Sequence, residues 1–308
     1  MTNIDKVAVI GAGVMGAGIA AHAANAGIAV ILLDVVPDGA SNRSVLAETA
    51  VNNMLKANPA PLMHRRNTRH IQTGNLDDDL SLLAECDLVI EAVIEDLEIK
   101  QDLYRRVDTA RKPGSIVTSN TSTIPLAKLV SGLPEGFARD FAITHFFNPP
   151  RYLRLLEVVA GTHTRADAIT SLQVFGDRAL GKSVVQCKDT PGFIANRIGI
   201  LWTTSAIRFA FEDQLSVEEA DAIVGRPMGI PKTGVFGLMD LVGIDLQPHV
   251  SASMLSSLPE QDMFRDLHQE SELIARMIRE GYTGRKGKGG FYRLNRTNGK
   301  RIKESLDL

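Results

Sequence analysis

The stretch Val7-Ala-Val-Ile-Gly-Ala-Gly-Val-Met-Gly16, with Asp34 beyond it, decides how the chain is read. Val7 to Ile10 is a short apolar run stopped by Gly11, Val14 to Ala26 is Ala-rich and ends at Gly27, and Ala29 to Leu33 is apolar again. Those lengths and that punctuation give strand, helix, strand. Gly11, Gly13 and Gly16 fall in the order GxGxxG between the first strand and the helix. There the first glycine permits a tight turn, the second lets backbone approach a pyrophosphate, and the third lets helix pack on strand. The helix N-terminus adds unpaired N–H groups and positive dipole. Asp34 stands 18 residues after Gly16, at the end of the second strand, where a carboxylate accepts hydrogen bonds from an adenosine ribose. A 2′-phosphate would meet that negative charge, so the pattern favours NAD over NADP, with Arg43 as the nearby residue able to modify the preference. The plainer alternative is a glycine-rich turn with a helix-capping Asp.

Composition narrows the rest. The 308 residues are 44% apolar and 23% charged, a globular balance long enough for two domains. Lys plus Arg number 34 against 36 Asp plus Glu, which leaves no net positive field for nucleic acid. The eleven Phe, four Tyr and one Trp offer few platforms for base stacking. Cys86 and Cys187 form neither a disulfide framework nor a zinc-type cluster, and both suit a reducing cytoplasm as small apolar residues. Val7 to Leu33 carries no Asp, Glu, Lys or Arg and is long enough to span a bilayer. Glycines 11, 13, 16, 18 and 27 break it into strand and helix lengths, and Asp5-Lys6 makes no signal-peptide n-region, so no membrane segment is expected.

Further apolar runs at Leu88–Val93, Ser115–Ser119, Phe141–Phe147, Leu155–Val159 and Val184–Cys187 alternate with helix-like stretches such as Leu97–Val107 and Ala166–Leu180. This predicts an α/β fold, a Rossmann-like doubly wound sheet over residues 1–188. After Lys188 the texture turns helical. Pro191 opens a segment whose spacing suits a long, mostly buried helix, Ser216 with Glu219 has capping-box order, and Leu273–Ile278 precedes Gly281. An all-α C-terminal domain over 189–292 follows, with the polar residues 293–308 expected to be a tail or linker.

Strand ends in a doubly wound sheet open onto the ligand crevice, and His145 lies at one, before Pro149-Pro150. Glu157 sits between apolar neighbours and needs a partner. If the two runs lie side by side, Glu157 fixes the imidazole tautomer and leaves the other nitrogen to exchange a proton with substrate. A core histidine and an unrelated glutamate fit the spacing equally well. Ser119-Asn-Thr-Ser122 closes another strand with ligand-facing hydroxyls or simple turn chemistry, and Asn196 is a polar group on an apolar helix or a solvent-facing one. The basic run His64–His70 reads as solvated surface or a phosphate contact. His22, His163, His249 and His268 have no mutual ligand spacing, so no metal site is expected.

Together these motifs resemble the L-3-hydroxyacyl-CoA dehydrogenase family, which includes the 3-hydroxybutyryl-CoA dehydrogenases. The matching stretches run from Lys6 to Tyr292: Gly11–Gly16, Glu91-Ala-Val-Ile-Glu95, Ser119–Ser122, His145-Phe-Phe-Asn-Pro149, Leu156-Glu-Val158, Thr190–Arg197 and Gly284 to Tyr292. The resemblance implies an NAD-binding Rossmann-like domain, a helical domain that commonly makes a homodimer, and an acyl-CoA substrate oxidised at its 3-hydroxyl in fatty-acid β-oxidation. It implies His145 as acid/base with Glu157 as its orienting partner, and Ser122 and Asn196 as holders of the substrate oxygen. Asp34, Glu95, Lys100, Ser122, Asn148 and Lys286 would contact NAD, and Lys56 the CoA moiety. Similar sequences also occur joined to an enoyl-CoA hydratase domain in longer polypeptides. A related hydroxy-acid or sugar-acid dehydrogenase without CoA, or a non-catalytic dinucleotide-binding protein, would share the same nucleotide loop.

Overall fold

The structure is a computed structural model and describes residues 3–230, 233–297 and 300–308, with the side chains of 296–301 left aside. By internal contacts the chain divides into two units, Met1–Phe193 and Ile194–Leu308.

The first unit is built on eight strands: β1 Lys6–Ile10, β2 Ala29–Asp34, β3 Ile71–Asn75, β4 Leu88–Glu91, β5 Ile116–Ser119, β6 Phe141–Phe146, β7 Leu155–Ala160 and β8 Ser183–Cys187. Their order is β3-β2-β1-β4-β5-β6-β7-β8, with every neighbouring pair parallel except β6 and β7, so that β7 and β8 run together against the other six. Helices α1 Val14–Asn25, α2 Val45–Met54, α3 Leu97–Ala110, α4 Leu126–Leu129, α5 Glu135–Asp140 and α6 Ala166–Val174 complete it. Strands covered on both faces read as continuous apolar runs, and Val7 to Ile10 and Val30 to Leu33 are fully buried accordingly. Two apolar clusters occupy the two faces: one gathers Val7, Val9, Ile19 and Ala20, the other Ala8, Ile10, Val89 and Tyr104. The reversal of order between β1 and its neighbours β2 and β4 makes the switch point, at the carboxyl ends where Gly11, Asp34 and Glu91 lie.

The expected doubly wound sheet is therefore present, with β3 as the strand the sequence did not reveal. Its residues Ile71-Gln-Thr-Gly-Asn75 carry little apolar pattern because it is an edge strand, paired on one side to β2. The Ala166–Leu180 stretch is α6 followed by a wide turn of π-helix at Phe175–Ala179.

The second unit is helical: α7 Ala195–Glu212, α8 Val217–Ile223, α9 Gly234–Val242, α10 Leu246–Ser257, α11 Met263–Leu267 and α12 Glu272–Glu280. The capping box forms as expected, Ser216 Oγ accepting from the Glu219 N–H and Glu219 from the Ser216 N–H. Gly281 ends α12 in the left-handed conformation. The long helix starts at Ala195, after Gly192 and Phe193 at positive φ, and its Ile198 and Phe209 stay exposed, so it is less buried than its spacing suggested. Within the range 293–308, expected to be a tail or linker beyond an all-α domain, the structure instead has a two-stranded antiparallel ribbon of β9 Tyr292–Thr297 and β10 Lys300–Ser305. An exposed two-stranded ribbon has no continuous apolar face to advertise it. Two buried carboxylates anchor its base: Asp240 accepts the Phe291 and Tyr292 N–H groups at 2.8 Å each, and Asp221 accepts the Tyr292 hydroxyl at 2.9 Å. No helix among the described residues is long and apolar enough to cross a membrane.

Candidate active site

The Gly-rich turn shows why each glycine stands where it does. Gly11 has φ +102°, and a Cβ on it would meet the Ala92 carbonyl oxygen at 2.5 Å. A Cβ on Gly16 would lie 1.7 Å from the Gly11 oxygen. Gly13 is different, because a Cβ there would meet nothing within 4 Å. Packing within the chain therefore demands the first and third glycines, whereas the second leaves a bare backbone face at the start of α1. That helix has no side-chain cap and no acidic residue in its first turn, so its N-terminal N–H groups and dipole are open to an anion. The Asp34 carboxylate borders this turn, accepting from the Ala12 N–H at 2.5 Å and the Val35 N–H at 2.7 Å. An open cradle, an uncapped helix end and a carboxylate at the next strand end fit the pyrophosphate and ribose of a dinucleotide. Arg43 does not turn to that site: its guanidinium grips Asp78 at 2.6 and 3.1 Å and holds the Asp78 carboxyl below the usual carboxylate range.

Beside Gly13 and Gly18 opens a groove of about 570 Å³, walled by Asn53, Met54, Ala57, Asn148 and Arg151 among others. Asn148 is exposed on the turn after β6. Lys56 is an exposed residue between wall positions, just past the end of α2. The run His64–His70 is mostly exposed, with Arg65–His70 a short 3₁₀ helix.

β6 and β7 pair antiparallel with His145 directly opposite Glu157. His145 Nδ1 lies 2.8 Å from Glu157 Oε2, with 6% of the histidine and none of the glutamate exposed. A buried carboxylate accepts the Nδ1 proton, so the neutral ring presents Nε2 as an acceptor. Nε2 has no hydrogen-bond partner among the described residues, and the rings of Phe147 and Phe193 flank the imidazole with centroids at 4.5 and 5.6 Å. The two runs thus lie side by side, and Glu157 is placed to fix the imidazole tautomer. Asn120, which sequence reasoning passed over, fixes the strand end by accepting the Phe146 N–H at 2.9 Å. Burial and the neighbouring Glu157 charge push the Cys187 thiol up to about 11, so it stays a neutral small side chain.

The Ser119–Ser122 segment follows β5, and its turn is organised by Glu95. One oxygen of Glu95 accepts the Thr121 hydroxyl, the Thr123 hydroxyl at 2.8 Å, and the Ser122 and Thr123 N–H groups at 3.3 Å. Its other oxygen faces Lys100 Nζ at 3.3 Å. Burial alone would raise the Glu95 carboxyl, but the Thr121 hydroxyl, the Lys100 ammonium and the Thr123 hydroxyl outweigh it and hold the group below the ordinary carboxylate value. Lys100 itself is buried and bonded at 2.6 Å to Glu91, a residue not singled out from sequence.

The structure thus brings together His145 with Glu157, Glu95 with Lys100 and Ser122, and Asp34 with the glycine turn. Of the other four predicted residues, Lys56 and Asn148 stand at the groove beside Gly13, and Asn196 and Lys286 lie in the second unit. Asn196 is half-buried in the first turn of α7, and Lys286 pairs with Asp245 at 2.8 Å. No group of three or more His, Cys, Asp or Glu side chains able to hold a metal occurs among the described residues.

A dinucleotide turn at the switch point and an oriented imidazole at a strand end are the parts of a nucleotide-binding site with a proton-exchanging group beside it. Comparison with known proteins gives the family. Residues 6–190 match the 3-hydroxyacyl-CoA dehydrogenase NAD binding domain and residues 192–294 the 3-hydroxyacyl-CoA dehydrogenase C-terminal domain. The chain belongs to the 3-hydroxyacyl-CoA dehydrogenase family, and the cofactor of its glycine turn is NAD. It is 43% identical, over 99% of its length, to a Rickettsia felis protein named for a trifunctional enzyme of a fatty acid oxidation complex, of which it spans 42%. It is 41% identical to a Deinococcus radiodurans protein named as a 3-hydroxyacyl-CoA dehydrogenase, covering 94% of this chain and 83% of that one. The crystal structure of 3-hydroxybutyryl-CoA dehydrogenase from Escherichia coli K12 superposes with a TM-score of 0.76 at 30% identity, covering 92% of this chain and 58% of that one.

Proposed function

We propose that this chain catalyses the reversible NAD-dependent oxidation of an (S)-3-hydroxyacyl-CoA to the 3-ketoacyl-CoA in fatty-acid β-oxidation. The observation that carries the proposal is the buried pair of His145 Nδ1 and Glu157 Oε2 at 2.8 Å, with Nε2 left unbonded at a strand end of an NAD-binding sheet. Nε2 of neutral His145 takes the proton of the substrate hydroxyl, and in reverse the imidazolium returns it to the carbonyl oxygen. Glu157 stabilises that imidazolium and fixes the ring in one tautomer. Bound NAD supplies the hydride acceptor. Ser122 and Asn196 hold the reacting oxygen, and Phe147 and Phe193 shield the imidazole from water. Asp34 holds the adenosine ribose, the open backbone at Gly13 and the start of α1 the pyrophosphate, and Glu95, Lys100, Asn148 and Lys286 the nicotinamide half. Lys56, beside the groove at Gly13, is our assignment for the CoA moiety.

The names of the relatives support an acyl-CoA substrate, and the trifunctional Rickettsia protein supports a place next to other acyl-CoA steps, of which an enoyl-CoA hydratase is the one that yields a 3-hydroxyacyl-CoA. A cytoplasmic setting agrees with two unpaired, buried cysteines. The exposed apolar side chains of Leu241, Val242, Leu246 and Val250 on α9 and α10 support a homodimer through the helical unit. A monomer in sedimentation equilibrium at micromolar concentration would remove that part of the proposal. The activity is tested by NADH consumption with short, medium and long 3-ketoacyl-CoAs against the corresponding free acids. Turnover confined to the thioesters is expected. Equal rates on free acids, or tight NADH binding with no turnover on any thioester, would overturn it.

A further inference from the structure

We propose that Glu91 is a positioning residue for the cofactor site: it holds the Lys100 ammonium back, so that Glu95 keeps one carboxylate oxygen open toward the cofactor. This rests on the reading of Glu95 as an NAD contact.

Glu91 ends β4 at the switch point and is 1% exposed. Its Oε1 accepts Lys100 Nζ at 2.6 Å and the Val93 N–H at 2.8 Å, and its Oε2 accepts the Tyr104 and Ser119 hydroxyls at 2.6 Å each. Every acceptor direction is taken by the chain itself, so Glu91 cannot meet a ligand. Its effect on one must run through a neighbour, and the geometry points to Lys100. Lys100 and Tyr104 lie one turn apart on the buried stripe of α3, and the ammonium stands between two carboxylates. One is the buried Glu91 at 2.6 Å. The other is Glu95 at 3.3 Å, whose side chain is 39% exposed.

The asymmetry has a consequence for charge and for space. Glu95 already spends Oε1 on the 121–123 turn, so Oε2 is the oxygen left to accept ribose hydroxyls. A buried cation seeks its nearest counter-charge strongly, because the interior screens poorly. With the Glu91 carboxylate in place, Lys100 stays deep and lends Glu95 a long, partial contact. With glutamine at that position, Glu95 is the sole carboxylate within reach, and the ammonium closes onto Oε2, occupying the acceptor the cofactor needs.

The test is NADH affinity, read by fluorescence titration of the full chain without substrate, for the wild type, Glu91→Gln, Lys100→Met and the double variant. Glu91→Gln is expected to weaken NADH binding about tenfold while leaving kcat at saturating NADH within about twofold. In the Lys100→Met background the same change is expected to make no further difference, because its intermediary is gone. Asp140→Asn serves as the comparison for stability alone: Asp140 pairs with Arg111 and Arg165 before β6, at the other end of the strands, and its loss is expected to lower Tm without altering NADH affinity. Wild-type affinity in Glu91→Gln overturns the proposal, and so does an equal loss in both backgrounds, which would mark a merely structural role. Should Glu91→Gln not fold, Glu91→Met is read in its place: a tenfold loss in the wild-type background that is absent in the Lys100→Met background supports the proposal, and wild-type affinity or an equal loss in both backgrounds overturns it. Because no acyl-CoA enters the assay, a wild type that binds NADH but turns over no thioester would defeat the substrate assignment and leave this inference intact.

Discussion

Replacing Glu157 by Gln keeps the shape of the buried pair and removes its charge. With Nδ1 and Oε2 at 2.8 Å, the centres of the imidazolium and carboxylate charges lie about 4 Å apart, worth about 4 kcal/mol at an effective dielectric of roughly 20. Both groups are buried, so screening by solvent removes little of this. The Gln carbonyl still accepts the Nδ1 proton and recovers part of the interaction, which leaves about 2 to 4 kcal/mol lost from the state in which His145 carries the proton. In a rate this is a fall of about 30-fold to 1,000-fold in kcat for oxidation of the 3-hydroxyacyl-CoA, where the imidazolium forms as the bond breaks. NADH binding is expected to be unchanged, since Glu157 faces the imidazole and not the nucleotide turn. The assay is NADH formation at 340 nm under saturating cofactor, with thermal unfolding run in parallel to show that the variant is folded. A folded Glu157→Gln protein turning over within threefold of wild type would refute the reasoning.

Three further outcomes follow from the geometry. Gly13→Ala, with open space for its Cβ, is expected to leave Tm unchanged and to weaken NADH binding, whereas Gly16→Ala, aimed at the Gly11 oxygen, is expected to compromise folding; equal Tm losses would contradict the distinct roles. Asp34→Ala is expected to weaken NADH about tenfold and narrow its advantage over NADPH, checked by paired titrations, and unchanged discrimination would count against Asp34 as the ribose acceptor. His22 is held down to about 4, first by burial and then by the Lys182 charge, so between pH 6.5 and 4 the unfolded chain binds the proton and the folded one does not. Stability is therefore lost as pH falls through that window, by about 2 to 3 kcal/mol from this group, and His22→Gln is expected to flatten that part of the unfolding curve.

How legible all this was in the sequence differs from part to part. The glycine turn and Asp34 are local features, with spacing set by one βαβ unit, and the structure has them at the expected places in that unit. The His145–Glu157 pair was legible as a condition only, because its truth depended on β6 and β7 pairing antiparallel in one register, a fact no spacing fixes. Glu91 was quoted only as part of a motif, and its role was not legible for a related reason. Its meaning comes from Lys100 on α3 and Ser119 on β5, which the fold brings to one point, although a carboxylate closing a wholly apolar strand was a signal that it needed partners. Arg43 was open to either reading until its Asp78 partner appeared from the far side of β3. The ribbon after Tyr292 has no continuous apolar pattern, and what ties it down, Asp221 and Asp240, lies far back in the chain.

The central claim is that His145 transfers the substrate proton. It is tested most directly by the rate of NADH oxidation with acetoacetyl-CoA in His145→Gln against wild type, with NADH affinity measured on both. The account predicts near-normal affinity and a loss of at least a hundredfold in kcat. Wild-type turnover in the folded variant would contradict it.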